Sequence, residues 1–212
     1  MKKLFLLPLL ITLFIACKSE GEKQNGTGEE AKSPTCNWVL NPDSTTLSWT
    51  AFKTTDKVGV GGQFTKFMIE GVEASEDLSA TIANARIIID VSSTNTGNPD
   101  RDQKIINEFF MKMVNTDVIT ANVTAIDKDN QSATLKIKMN DVEQEVPMAM
   151  STGTDGTLIL SGSITTDRFM ADEALASLNQ ACFDLHKGAD GVSKTWPDVE
   201  ISIRAKFEKD CK

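Results

Sequence analysis

The sequence has little from which a metal centre or a nucleic-acid interface could be built. A single histidine, His186, stands among 212 residues. With cysteines scattered at Cys17, Cys36, Cys182 and Cys211, no zinc-ligand spacing forms. Basic residues are outnumbered by acidic ones, 22 to 30, and such a surface repels phosphate backbones, which excludes nucleic acid as a partner. The apolar run Leu4 to Ile15 is too short to span a bilayer. Glycines gather at Gly59, Gly61 and Gly62, but no Gly-Lys-Ser/Thr follows and no helix starts there, so they are read as permitting a bend or bulge in a strand. Neighbouring carboxylates occur only on polar loops, and no nucleophile is arranged with His186, which sits in a polar loop and is expected to face solvent. The expected catalytic set is therefore empty, and the expected metal set is empty too.

The N-terminus reads as an export signal. Lys2 and Lys3 precede the apolar run, which ends in Phe14-Ile15-Ala16-Cys17, the layout of a bacterial lipobox with Phe14 where leucine is commoner. Residues 1–16 are expected to be removed and Cys17 to be acylated, giving a membrane anchor. Loss of Lys2 and Lys3 takes the formal charge from −8 to −10. Lys18 to Thr35 contains no large apolar residue and is expected to stay disordered as a tether. Lys18, where an inner-membrane lipoprotein carries aspartate, points to the outer membrane of a Gram-negative envelope, on its periplasmic or its outer face. Residues 36–212 are the size of one domain with a real core.

That domain reads as all-β and antiparallel. Val199, Ile201, Ile203, Ala205 and Phe207 alternate with Glu200, Ser202, Arg204 and Lys206, the period of a strand with one buried face. Trp38 to Leu40, a turn at Asn41 to Ser44, and Thr46 to Thr54 form the first wall. If first and last strands pair antiparallel, Cys36 and Cys211 lie side by side and can bridge; a bridge using Cys182 remains the alternative. Strands are expected over Val58 to Phe67, Ile82 to Val91, Val118 to Asp127, Ala133 to Met139, Val142 to Met150 and Leu158 to Ile164. Pro147 marks an edge-like or bulged position in its strand, and that edge leaves a homodimer open.

Two helices interrupt the strands. Pro99 and Asp100 open the first, which runs to about Met113 with Ile105, Phe109 and Met113 on one stripe. The second runs from Asp172, read as its N-cap, to Phe183, with Leu175, Leu178 and Cys182 as its apolar side. Many strands at hairpin spacing with two helical inserts favour a barrel with one or two capping helices over a doubly wound sheet.

Several motifs taken together resemble the YceI family. They are Val60-Gly61-Gly62-Gln63-Phe64, Ile89-Asp90-Val91-Ser92-Ser93, Arg101-Asp102, Glu108-Phe109-Phe110, Thr165-Thr166-Asp167-Arg168-Phe169 and the Val199 to Phe207 strand, in that order from Trp38 to about Glu208. The resemblance implies a lipocalin-like barrel that binds long isoprenoid lipids. The chain departs from the family pattern in lacking a histidine near Phe52-Lys53, in having Asn140-Asp141 where a glycine-rich segment is usual, and in a longer stretch from Asp172 to Asp198.

A barrel of this size encloses an apolar tunnel where its inward side chains do not fill it. Flexible apolar residues suited to a variable hydrocarbon are Phe64, Phe67, Met68, Phe109, Phe110, Met113, Met148, Met150, Phe169 and Met170, for each of which plain core packing is the alternative. Arg101 can place a guanidinium at a lipid head group, or form a structural ion pair with Asp102. The expected ligand is an isoprenoid lipid or quinone, with no other cofactor. The competing expectation is a filled barrel acting through protein contacts in the envelope.

Overall fold

The computed structural model describes residues 34–212. The export signal, Cys17 and the tether lie outside those residues. Among them ten strands form one antiparallel sheet, in the order β3-β4-β6-β7-β8-β9-β10-β1-β2-β5. β1 (Cys36–Lys53) and β10 (Thr195–Cys211) make its longest ladder, and Cys36 lies directly opposite Cys211, to which it is disulfide-bonded. The turn expected at Asn41 to Ser44 is instead a bulge inside the continuous β1, where Thr45 Oγ1 donates to Asn41 O at 3.2 Å. Proline is tolerated there because a bulge needs no ladder N–H from it.

β2 (Val58–Phe64) pairs with β1 without a register break, so the glycines make no bulge. Gly62 faces Trp49, and a Cβ on it would run into the indole. The strand expected to reach Phe67 breaks at Thr65 and Lys66, and β3 (Phe67–Glu70) continues beyond them. The strand expected from Ile82 begins later: Asp77 accepts from Ser79 N at 2.9 Å and caps α1 (Leu78–Ile82), so β4 covers Arg86–Asp90. A 3₁₀ turn at Val91–Ser93 leads to β5 (Thr94–Asn95), which pairs with β2 while β4 pairs with β3.

This arrangement closes the barrel. β3 and β2, near opposite ends of the sheet order, are consecutive pieces of one chain, and so are β4 and β5. Between the two ladders Thr65 N donates to Ser93 O and Asp90 N to Lys66 O, both at 3.1 Å. Taking each broken pair as one kinked strand reduces ten strands to eight, the number whose interior just suffices for side chains or one small ligand.

The remaining wall follows the sequence pattern: β6 (Val118–Asp127), β7 (Ser132–Met139), β8 (Val142–Thr152) and β9 (Thr157–Thr165). β8 pairs with β9 only from Ala149 onward, so Pro147 does sit on an edge-like stretch. α2 (Pro99–Glu108) is capped by the Asn98 side chain, which accepts from Arg101 N at 3.1 Å, and stops short of Met113 in a 3₁₀ turn at Phe110–Lys112. α3 (Asp172–Ala181) begins after Ala171; Asp172 lies in the first turn and makes no side-chain cap. It ends before a 3₁₀ turn at Phe183–His186. α2 and α3 pack on each other, and Ser177 Oγ donates to Glu108 at 2.7 Å. The core, the disulfide and every ladder lie within residues 34–212, which form one compact unit. No helix among the described residues is long and apolar enough to cross a membrane.

Candidate functional site

The inward side chains of the barrel fill it unevenly. Toward the disulfide end Phe207, Met148 and Leu158 are almost wholly buried and form a solid floor. Toward the helical end the inward positions carry shorter residues: Ala51 on β1, Ala121 on β6, Val199 on β10. A cavity of about 440 Å³ remains between floor and cap, within the usual range for a small-molecule site. Its walls are aliphatic, with Leu47, Ile87, Ile119, Leu135, Ile137 and Ile203 contributed by five strands. Period-2 alternation in each strand turns these residues to one face, and sheet closure gathers the faces.

The opening at its helical end is lined by Ile105 on α2, by Phe109 just after it, and by Leu175, Leu178 and Cys182 on and just after α3. Burial pushes the Cys182 thiol above its ordinary value, while Lys104, Lys53 and Arg101 pull it the other way. His186 also lines the cavity and is half-buried, not solvent-facing as its polar neighbours suggested. The Thr195 hydroxyl donates to Asn179 Oδ1 at 2.8 Å, so it accepts from His186 Nδ1 at 2.7 Å and leaves Nε2 as the unprotonated nitrogen. Burial lowers the His186 pKa, and Lys53 and Lys104 push in the same direction. Lys53 Nζ donates to Leu185 O at 3.0 Å, tying β1 to the 3₁₀ turn that carries His186. Trp196 completes the rim: its Nε1 donates to Thr54 O at 2.7 Å and Lys194 Nζ lies 3.4 Å from its ring centre.

Arg101 lines the same opening, with Asn98, Asp100 and Lys104 beside it. It forms no ion pair with Asp102. That carboxylate accepts from Thr96 N at 2.8 Å and Thr96 Oγ1 at 2.6 Å. Among the described residues no group of three His, Cys, Asp or Glu side chains could hold a metal ion.

A family model for the YceI-like domain matches residues 38–207. The chain belongs to the YceI-like family. Its fold is similar to that of a polyisoprenoid binding domain from Saccharophagus degradans implicated in plant cell wall breakdown, with TM-score 0.57 and 13% identity over 84% of this chain and 100% of that one. It is also similar to BcnA of Burkholderia cenocepacia, with TM-score 0.53 and 15% identity over 79% of this chain and 98% of that one. A sequence comparison with curated proteins finds no match. At such identities the likeness is one of fold.

The YceI-like domain uses only three of the ten apolar residues picked from sequence as cavity wall: Phe64, Phe109 and Phe110, whose rings contact in series at centroid distances of 6.0 and 5.2 Å. Met113, Met148 and Phe169 are buried packing, and Phe67 and Met150 are half-buried against the core. Two are on the outside. Met68 is 56% exposed, since it pairs with Ile88 on the outer face of the sheet, and Met170 is 74% exposed at a left-handed residue ending a 3₁₀ turn. The aliphatic wall went unrecognised although its signal was present: the inward parity of β10 fixes that of β1 through the pairs Ile203 to Leu47 and Ile201 to Trp49.

Proposed function

We propose that this YceI-like domain binds the long tail of an isoprenoid lipid or isoprenoid quinone inside its barrel, with the head group toward Arg101 at the helical end. The observation that carries the reading is the aliphatic cavity of about 440 Å³ left open between floor and cap. An apolar space of this kind stays dry when empty and rewards burial of hydrocarbon at about 25 cal/mol per Å². The described polyisoprenoid binding domain with this fold supports the same reading. The cavity counts against a wholly filled barrel. Acylation of Cys17 would tether the domain to the outer membrane, where it acts as carrier or store for a lipid that water does not dissolve. The domain is a binding protein in this reading, without turnover of its ligand.

The test is titration with an isoprenoid quinone, read by quenching of Trp49, which lines the cavity. Saturable quenching is expected, and Ala121→Phe, which puts a bulky ring into the cavity wall, is expected to weaken binding about tenfold or more. Quenching that never saturates, or binding untouched by Ala121→Phe, would contradict a ligand inside the barrel. Anchoring is checked separately: labelled palmitate should enter the full chain and be absent from Cys17→Ser.

A further inference from the structure

Three cations converge on the helical end of the cavity without carboxylate partners. Lys53 at the end of β1, and Arg101 and Lys104 three residues apart on α2, all line it, and among the described residues none of the three is ion-paired. Nearby acidic groups are engaged elsewhere: Asp102 with Thr96, and Glu108 with Ser177 at 2.7 Å and Lys112 at 3.5 Å. Asp100 is the one carboxylate that shares the lining, so three positive charges face one negative. We propose that the site selects amphiphiles with an anionic head, a phosphate or a carboxylate, over neutral ones carrying the same tail.

This rests on the reading that the cavity takes a long apolar tail. The physical reason is desolvation. A neutral head, such as an alcohol or a quinone ring, would cover these cations and leave them without a counter-charge, whereas an anion pairs with them through charge-assisted hydrogen bonds. Arg101 offers a planar fork, Lys104 and Lys53 rotatable point charges. Beside the effect of burial, Lys53 and Lys104 push the pKa of both Cys182 and His186 downward, and Arg101 does so at Cys182. An uncompensated cluster of this kind stabilises an anionic ligand more than it stabilises the fold.

The experiment uses three probes with one tail and different heads: geranylgeranyl phosphate, geranylgeranoic acid and geranylgeraniol. Each is titrated into residues 34–212 and into the double variants Arg101→Gln with Lys104→Gln, and Arg101→Gln with Lys53→Gln. The phosphate is expected to bind about a hundredfold tighter than the alcohol, with a gap that shrinks as salt is added and closes to within about threefold in the double variants. The carboxylate probe assigns the source: binding like the phosphate marks general anion selection, and binding like the alcohol narrows it to phosphate. Equal affinity for alcohol and phosphate in the native sequence would overturn anion selection while leaving the tail reading intact. A preference that survives both double variants would also overturn it. If none of the three probes binds, the tail reading itself fails.

Discussion

Gly62 shows how one residue sets the shape of the wall. It stands opposite Trp49 in the β1–β2 ladder, and the indole occupies the space a side chain would need. Gly62→Val is expected to destabilise the domain by about 1–3 kcal/mol through overpacking, checked by urea unfolding at neutral pH. A change under about 0.5 kcal/mol would mean that Trp49 moves freely. His186 gives a pH signature at the same scale. Its folded pKa is lowered from 6.5 by burial and then by Lys53 and Lys104. The unfolded chain therefore takes up a proton first as pH falls, so stability is full above pH 6.5 and declines as pH drops toward the folded pKa. His186→Gln is expected to flatten that decline, measured as the melting temperature against pH. His186 was misjudged in the sequence because its neighbours are polar. Its burial comes from Lys53, Thr195 and α3, none of them adjacent to it in the chain.

At the scale of elements, the first and last strands are the most legible part of the chain. Alternation from Val199 to Phe207 and the flanking cysteines pointed to β10 beside β1 with Cys36 opposite Cys211, and the structure has that pairing in place of a bridge through Cys182. The bridge joins residues 175 apart, and chain-entropy reasoning puts its effect at up to about 5 kcal/mol. Cys36→Ser with Cys211→Ser is expected to lose about 2–5 kcal/mol by urea unfolding, and an unchanged midpoint would show that the ladder alone holds the ends. The segment from Phe64 to Asn95 was less legible. The break at Thr65 and Lys66 and the 3₁₀ turn at Val91–Ser93 are tertiary features, bends that let two strands serve both ends of the sheet, and period-2 alternation carries no signal for them. α1 was missed for a different reason: five residues capped by Asp77 are too few for a periodic stripe.

Residues 34–212 form a closed antiparallel barrel, solid at the disulfide end and hollow under a helical cap. Barrel and cap were readable from hairpin spacing and two amphipathic inserts. The division between filled and hollow was not, because it depends on which inward side chains meet at the same height across the barrel: Met148 and Phe207 fill the floor, whereas Ala51 and Ala121 leave room above it. That contrast explains why Met148 is packing while Ile87, Ile119 and Ile137 are wall. Native mass spectrometry of residues 34–212, purified from a bacterial host without detergent and followed by solvent extraction, tests the account most directly. It predicts one discrete added mass per chain, extracted as an isoprenoid lipid or quinone. A ligand-free mass that persists after incubation with isoprenoid quinones and polyprenyl phosphates would contradict it.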